Sequence, residues 1–174
     1  MTTLLPPDSP GSVATSQETG THGAEPPRER RLAALLLSRY NLRYLVRLYS
    51  AFDGDLLLPI VLGEVGIYNV GGLALDEPSR LPAGIDDATL RGLPLRPCNA
   101  FSISSSTGIP RETVRRKVSH LIQLGLIDRD PKGGLTITAR AINECLQRFD
   151  ADNEVDFLST ADQVREVLGD ARTA

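Results

Sequence analysis

Residues 107–134 read TGIPRETVRRKVSHLIQLGLIDRDPKGG, and they predict a turn, a helix and a hairpin in that order. Gly108 can take the positive backbone dihedral angle of a tight turn, and Pro110 suits the first turn of a helix. A 3.6-residue wheel then separates an apolar face from a charged one. The apolar face holds Val114, Val118, Leu121 and, at its margin, Ile122.

The second half of this stretch predicts a short β-hairpin. Gly125 is suited to the left-handed end of the helix, and residues 126–128 then form a strand. Residues 131–134, with one proline and two glycines, form the turn. Residues 135–138 alternate apolar and polar side chains, which is typical of a half-buried returning strand.

These segments resemble the DNA-binding region of bacterial winged helix-turn-helix regulators of the IclR and MarR kinds. The likeness lies in TGIPRETVRRKVSHL as turn and recognition helix, LGLIDRD as first wing strand, and KGGLTIT as wing tip and return, about a quarter of the chain. It implies that the helix beginning at Pro110 enters the major groove. It also implies that the wing around Lys132 lies over a phosphate backbone or the minor groove.

The resemblance and the helical wheel together nominate eight side chains for DNA contact. They are Arg111, Glu112, Thr113, Arg115, Arg116, Lys117, Ser119 and Lys132. Arg115 and Arg116 are expected to contact DNA directly. The alternative is a solvated helix face on which Glu112 pairs with Arg116, four residues away.

The remaining candidates divide by the part of DNA that they would reach. Arg111 and Lys117 are expected on phosphates, because they lie at the start and the flank of the helix. Thr113 and Ser119 would reach base edges. Glu112 would accept from a cytosine amino group or pair within the helix, and Lys132 would meet phosphate or simply solubilise the turn. Candidates for DNA contact thus include acidic and neutral side chains as well as basic ones.

Length and composition limit the number of domains and the class of protein. A chain of 174 residues with 41% apolar content predicts one domain with tails. Cys98 and Cys145 lack the spacing of a zinc site or a disulfide framework, and both are expected to be reduced core thiols. Because the sequence shows neither a secretory leader nor an apolar run of roughly 20 residues, we expect a soluble cytoplasmic protein.

The net charge of −3 argues against nucleic-acid binding, but the distribution of charge along the chain does not. Residues 28–50 hold six arginines and one glutamate. Residues 91–117 hold five arginines, one lysine and one glutamate. Residues 149–174 hold seven acidic residues and two arginines. The chain therefore has two basic segments and an acidic tail, which the total conceals.

The expected fold class is mostly α with a small β-wing, a winged helix-turn-helix with extra N-terminal and C-terminal helices. Residues 1–27 form a disordered tail, 28–70 two helices, and 71–98 a Gly/Pro-rich insertion. Residues 99–138 form the helix-turn-helix and wing, and 139–174 the C-terminal helices and acidic tail.

Finer expectations concern where the elements begin. Asp55 caps the second helix, which runs to about Asn69. A possible short helix follows over 86–91, and a small strand lies near 95–97. Asn99 caps a scaffold helix over 100–107, in which Phe101 and Ile103 are candidate core residues. Thr138 caps a helix over 139–149, and Thr160 with Gln163 forms a capping box that opens the last helix.

The long first helix, over about 27–52, carries two apolar stripes. One holds Leu35, Leu42 and Tyr49, with Leu32, Leu45 and Val46 nearby; the other holds Leu37, Tyr40, Tyr44 and Leu48. Since a small domain covers only one such face easily, we expect a homodimer through this helix and the apolar segment 56–65. Between the stripes lie Arg39, Arg43 and Arg47. These arginines could contact DNA, but the simpler expectation is that they pair with acidic residues of the tail or of another subunit.

The function expected from these patterns is sequence-specific binding of double-stranded DNA by a transcriptional regulator. The alternative is a winged-helix protein interaction module, which the acidic tail motivates. No enzyme is expected, because the sequence lacks a phosphate-binding glycine loop, an HExxH motif and a nucleophile with a plausible base. No cofactor or metal is predicted, and an effector ligand is left open.

Overall fold

The structure, a computed structural model, describes residues 27–74, 85–145 and 151–170. Its helices and strands are α1 (Arg28–Ala51), α2 (Leu57–Ala74), α3 (Asp87–Gly92), α4 (Ala100–Thr107), α5 (Arg111–Gln123), β1 (Ile127–Arg129), β2 (Leu135–Ile137), α6 (Ala139–Cys145) and α7 (Ala151–Asp170). The predicted mostly helical fold with a small antiparallel sheet is confirmed. The predicted tail, much of the insertion and the end of the helix over 139–149 lie outside the described residues.

The first two helices follow the prediction closely. Asp53 and Gly54 both have positive φ, at 50° and 85°, and this sharp turn ends α1. The Oδ1 atom of Asp55 accepts from the backbone N–H of Leu57 at 3.2 Å, as a cap of α2. α2 then continues past the predicted end at Asn69 and stops at Ala74.

One hydrophobic core joins α2, α4, α5 and the hairpin. Its buried members are Leu58, Val61, Leu62, Val65, Cys98, Ile103, Val114, Val118, Leu121, Leu126, Ile127, Leu135, Ile137 and Ala141. The predicted inner face of α5 is confirmed, since Val114, Val118 and Leu121 are fully buried. On the apolar start of α2, Leu58, Val61, Leu62 and Val65 belong to this core, whereas Ile60 is 46% exposed.

A short, well-bonded turn connects α4 to α5. Asn99 caps α4 by accepting from the backbone N–H groups of residues 101 and 102, and Gly108 ends it with φ at 71°. The hydroxyl of Ser104 donates to the carbonyl of Ile109 at 2.7 Å. Pro110 is the residue before α5 rather than its first member, because its ψ of 134° is not helical.

The sheet is a two-stranded antiparallel hairpin in which Ile127 pairs with Ile137. The small strand expected near 95–97 is reduced to a single bridge one residue later, between Cys98 and Leu135. Cys98 is a free, buried thiol, and burial raises its pKa to about 11. The predicted core role of Cys98 is confirmed, while the side chain of Cys145 lies outside the described part.

A buried asparagine ties α2 to this sheet. Asn69 donates from Nδ2 to the carbonyl of Arg96 at 2.7 Å and to that of Leu135 at 3.1 Å. Its Oδ1 accepts from the backbone N–H of Ile137 at 2.7 Å. The amide thus satisfies three buried or half-buried backbone groups at the edge where the bridge replaces a strand.

The C-terminal helices depart from prediction at one point. Thr138 caps α6, accepting from the N–H of Ala141 at 3.1 Å, as expected. α7, however, is one unbroken helix of 20 residues, so the prediction that Thr160 begins it is wrong. Thr160 is buried in mid-helix, because it belongs to the stripe with which α7 packs against α1.

None of the helices in the described ranges has both the length and the apolar content needed to cross a membrane.

Candidate nucleic-acid interface

The outer face of α5 is polar, charged and open to solvent. Arg111, Glu112, Arg115, Arg116 and Ser119 are all exposed. Thr113 is half-buried at the edge of this face. The fully buried valines and leucine on the other side fix the rotation of the helix, so these side chains point away from the core.

A groove of about 430 Å³ lies between the start of α4, the exposed side of α5 and the hairpin. Arg111, Arg115 and Arg129 line it, together with Phe101 and the backbone around Gly133. No carboxylate is found among the described residues that line it. Three guanidinium groups around one open groove make a site for a polyanion, because arginine matches the geometry of phosphate oxygens.

Arg111, Arg116 and Arg129 have no ion-pair partner within residues 27–74, 85–145 and 151–170. Arg115 has a loose one, Glu112, with a 3.7 Å separation between Nη1 and Oε2. The predicted pairing of Glu112 within the helix is therefore found, but three residues away rather than with Arg116. Both partners are exposed, so this pair adds little stability.

The hairpin turn is shaped by a carboxylate that the prediction did not single out. The Oδ1 atom of Asp130 accepts from the backbone N–H groups of Lys132 and Gly134, each at 2.8 Å. This local turn leaves Lys132 exposed at the tip, as predicted. Lys132 is thus presented on the same hairpin as Arg129, which lies at the end of β1.

Lys117 does not belong to this face. Its side chain is only 16% exposed, and its Nζ forms an ion pair and hydrogen bond with Asp55. Lys117 therefore holds α5 to the start of α2, and we withdraw the prediction that it contacts phosphate. Burial by itself would raise the pKa of Asp55, but the hydrogen bond and charge of Lys117 outweigh burial and lower it.

Replacing Lys117 with methionine should lower the free energy of unfolding by about 1–3 kcal/mol at pH 7, because Asp55 keeps its charge and loses its partner. A carboxyl whose pKa is lower in the folded than in the unfolded state stabilises the fold at pH values above its unfolded-state pKa, which is near 4. This stabilisation is lost as the pH falls from about 4 through the folded-state pKa. The difference from wild type should therefore shrink below about pH 4 in urea titrations. Lys132→Met, at the exposed tip, is the control. An equal difference at pH 3 and pH 7 would contradict the pairing.

Two further residues lie elsewhere than predicted. Phe101 is 64% exposed, so its assignment to the core is wrong, whereas Ile103 is buried as predicted. Arg129 joins the groove although sequence analysis passed over it. The sequence did contain a signal, because residues two apart in a strand point to the same side. Arg129 therefore lies on the same side as the buried Ile127, at the end of β1.

Two of the three arginines between the stripes of α1 bond to α7. Arg47 forms an ion pair and hydrogen bond with Asp156, and Arg39 donates to Oε1 of Gln163 at 3.0 Å. The hydrogen bond to Arg47 comes first among the causes that hold the pKa of Asp156 below its usual range. The simpler of the two expectations, that this row meets the acidic tail, is confirmed for Arg47.

A second cavity of about 430 Å³ lies behind α5, between the end of α1, the start of α2 and α6. Leu58, Leu62 and Leu126 contribute apolar walls, and His120 and Arg140 border it. Arg140 is already bonded to Glu144 and to the carbonyl of Leu124. In the described ranges, no group of three or more His, Cys, Asp or Glu side chains is placed to hold a metal ion.

Comparison of the chain with protein-family models, with curated proteins and with solved structures found no match.

Proposed function

We propose that this protein is a winged helix-turn-helix regulator that binds double-stranded DNA in a sequence-specific manner. In this proposal α4 and α5 are the helix-turn-helix, α5 is the recognition helix, and the β1–β2 hairpin is the wing. The groove lined by Arg111, Arg115 and Arg129 carries the proposal, because it joins the two elements that such a fold lays on DNA.

The proposal assigns a separate part of the DNA to α5, to the groove and to the wing. α5 lies in the major groove, and Arg116, Thr113 and Ser119 face base edges. The three arginines of the groove hold phosphates on one strand, and Lys132 meets the backbone or minor groove beside the wing. Glu112 orients Arg115 through their ion pair, or accepts from a cytosine amino group when the pair opens.

The net charge of −3 is compatible with this proposal because the charges are segregated. The acidic α7 packs on α1, where Asp156 is bonded to Arg47. On α5, the exposed basic side chains outnumber Glu112 three to one. The local field at the groove is thus positive even though the whole chain is acidic.

A salt titration separates DNA binding from the alternative of a protein interaction module. Binding of a fluorescent random-sequence duplex should weaken steeply from 50 to 200 mM KCl, because bound arginines release counterions from DNA. Arg115→Ala/Arg116→Ala should weaken binding and flatten the slope, whereas Arg30→Ala/Arg165→Ala, with the same change in net charge, should not. If the folded wild-type protein retains no duplex at 50 mM KCl, the interaction module becomes the better account.

A further inference from the structure

The stripe of α1 that faces away from α7 repeats with heptad spacing. It consists of Leu32, Leu35, Arg39, Leu42, Val46 and Tyr49, separated by three and four residues in turn, and we name it the α1 seam. Its five apolar members are all exposed, each by at least 43% and Leu35 by 67%. Alternating steps of three and four are the spacing with which one helix meets another in a coiled coil.

The five apolar members of the α1 seam are separate from the surface that α7 covers. On the α7 side, Tyr40 packs edge-on against Phe157, with 5.8 Å between ring centroids, and stacks with Tyr44. At 100° per residue, the seam is centred about 150° around the helix from these two tyrosines. α1 therefore has one apolar face in use and another that the described chain leaves uncovered.

We propose that the α1 seam pairs with the α1 seam of a second copy of this chain, in antiparallel orientation about a two-fold axis between residues 40 and 41. This proposal holds whether or not the protein binds DNA. It places the contact on α1 alone, because Leu58, Val61, Leu62 and Val65 of the apolar segment 56–65 face the core.

The register of the seam fits a second copy as the partner. An axis between residues 40 and 41 brings Leu32 opposite Tyr49 of the second copy, Leu35 opposite its Val46, and Arg39 opposite its Leu42. Each pair then combines the two alternating positions of the heptad, which is the packing of antiparallel helices. One patch thus complements itself, as a two-fold interface requires.

Arg39 decides between the two orientations. In a parallel pair, Arg39 would face Arg39 of the second copy inside the seam, and like charges at close range are repulsive. In the antiparallel pair its aliphatic stem lies on Leu42 of the second copy. Its guanidinium already reaches outward to Gln163 of α7, so the charge stays at the rim.

The size of the surface is adequate for a specific dimer. Five large apolar side chains that expose about half of their surface amount to on the order of 500 Å² per protomer. Flanking side chains such as Leu45, which is 46% exposed, bring the total for both copies to roughly 1,200 Å², where specific interfaces begin.

Sedimentation and light scattering without DNA test this interface. Wild type at 20 μM should have about twice the 18.8 kDa mass of the chain. Leu42→Glu places a charge near the axis in both copies and should raise the dimer dissociation constant at least tenfold, with an unchanged helical circular dichroism spectrum. Val155→Glu is the matched control, because Val155 is equally exposed, at 68%, on the face of α7 away from α1. A monomeric wild type, or a dimer lost only in Val155→Glu, would overturn the proposal.

Spin labels test the orientation separately. In a Cys98→Ala/Cys145→Ala background, labels at the exposed residues Ser38 and Ser50 are measured in two single-site proteins. An antiparallel pair separates the two copies of position 38 by roughly 7 Å along the axis and those of position 50 by roughly 28 Å. Equal short distances at both positions would mean a parallel pair and would refute the proposed register.

Discussion

Replacing Asn69 with leucine should lower the free energy of unfolding by about 3–5 kcal/mol, the largest stability effect that we expect from a single polar residue here. Leucine has a similar volume but no polar atoms. The N–H of Ile137 and the carbonyl of Arg96 would each lose a partner in a place that water reaches poorly, whereas the carbonyl of Leu135 would keep the N–H of Cys98 at 3.2 Å. An unsatisfied buried group of this kind costs about 1–3 kcal/mol.

Urea titration followed by circular dichroism measures this loss. Asn143→Leu is the matched control, because Asn143 donates one exposed hydrogen bond to the carbonyl of Ile85 at 3.0 Å. The control should change stability by less than about 1 kcal/mol. If both leucine variants were equally stable, Asn69 would not be the link between α2 and the sheet.

Removing the three arginines of the groove should produce the largest loss of DNA affinity. Arg111→Ala/Arg115→Ala/Arg129→Ala takes away three charge-assisted contacts at about 1 kcal/mol each, so the dissociation constant should rise about 100-fold at 150 mM salt. The slope of log affinity against log salt should also fall by roughly 2.7, since each neutralised phosphate contributes about 0.9.

The control for this variant removes the same charge elsewhere. Arg30→Ala/Arg91→Ala/Arg165→Ala also makes the net charge three units more negative, and all three side chains are exposed outside the groove. It should bind within about threefold of wild type. Equal losses in the two triple variants would mean that only total charge matters and that the groove is not the phosphate site.

Local chemistry made parts of this fold predictable. Asn99 as a cap of α4 and Gly125 with a φ of 71° depend on residues one to four positions away, and both were predicted correctly. The amphipathic pattern of α5 likewise predicted its buried face. Such features follow from the preferences of a few adjacent residues, which the sequence contains in full.

The errors concern choices that depend on distant parts of the chain. Thr160 and Gln163 have the spacing of a capping box, but the helix continues through them because α1 covers that stripe. Lys117 lies on the border of the α5 wheel, and only the position of Asp55, 62 residues earlier, draws it inward. Phe101 looks like a core residue on hydrophobicity alone, yet it points into the groove.

The role of Asn69 was also beyond sequence reasoning. Its three bonds reach residues 27, 66 and 68 positions away, and nothing near Asn69 in the sequence marks it. For the candidate site, the sequence supplied Arg111, Arg115, Arg116 and Lys132. It missed Arg129, because the groove forms only when the hairpin folds beside α5.

Selection of the purified 174-residue protein against a random double-stranded DNA library tests the central claim most directly. The wild-type protein should enrich one defined motif, and Arg116→Ala should still bind while losing preference at the bases that Arg116 reads, at a cost of about 1–3 kcal/mol on the selected site. Circular dichroism of both proteins confirms that they are folded. If folded wild-type protein enriches no motif above the input library, it does not recognise DNA sequence, and the proposed function is contradicted.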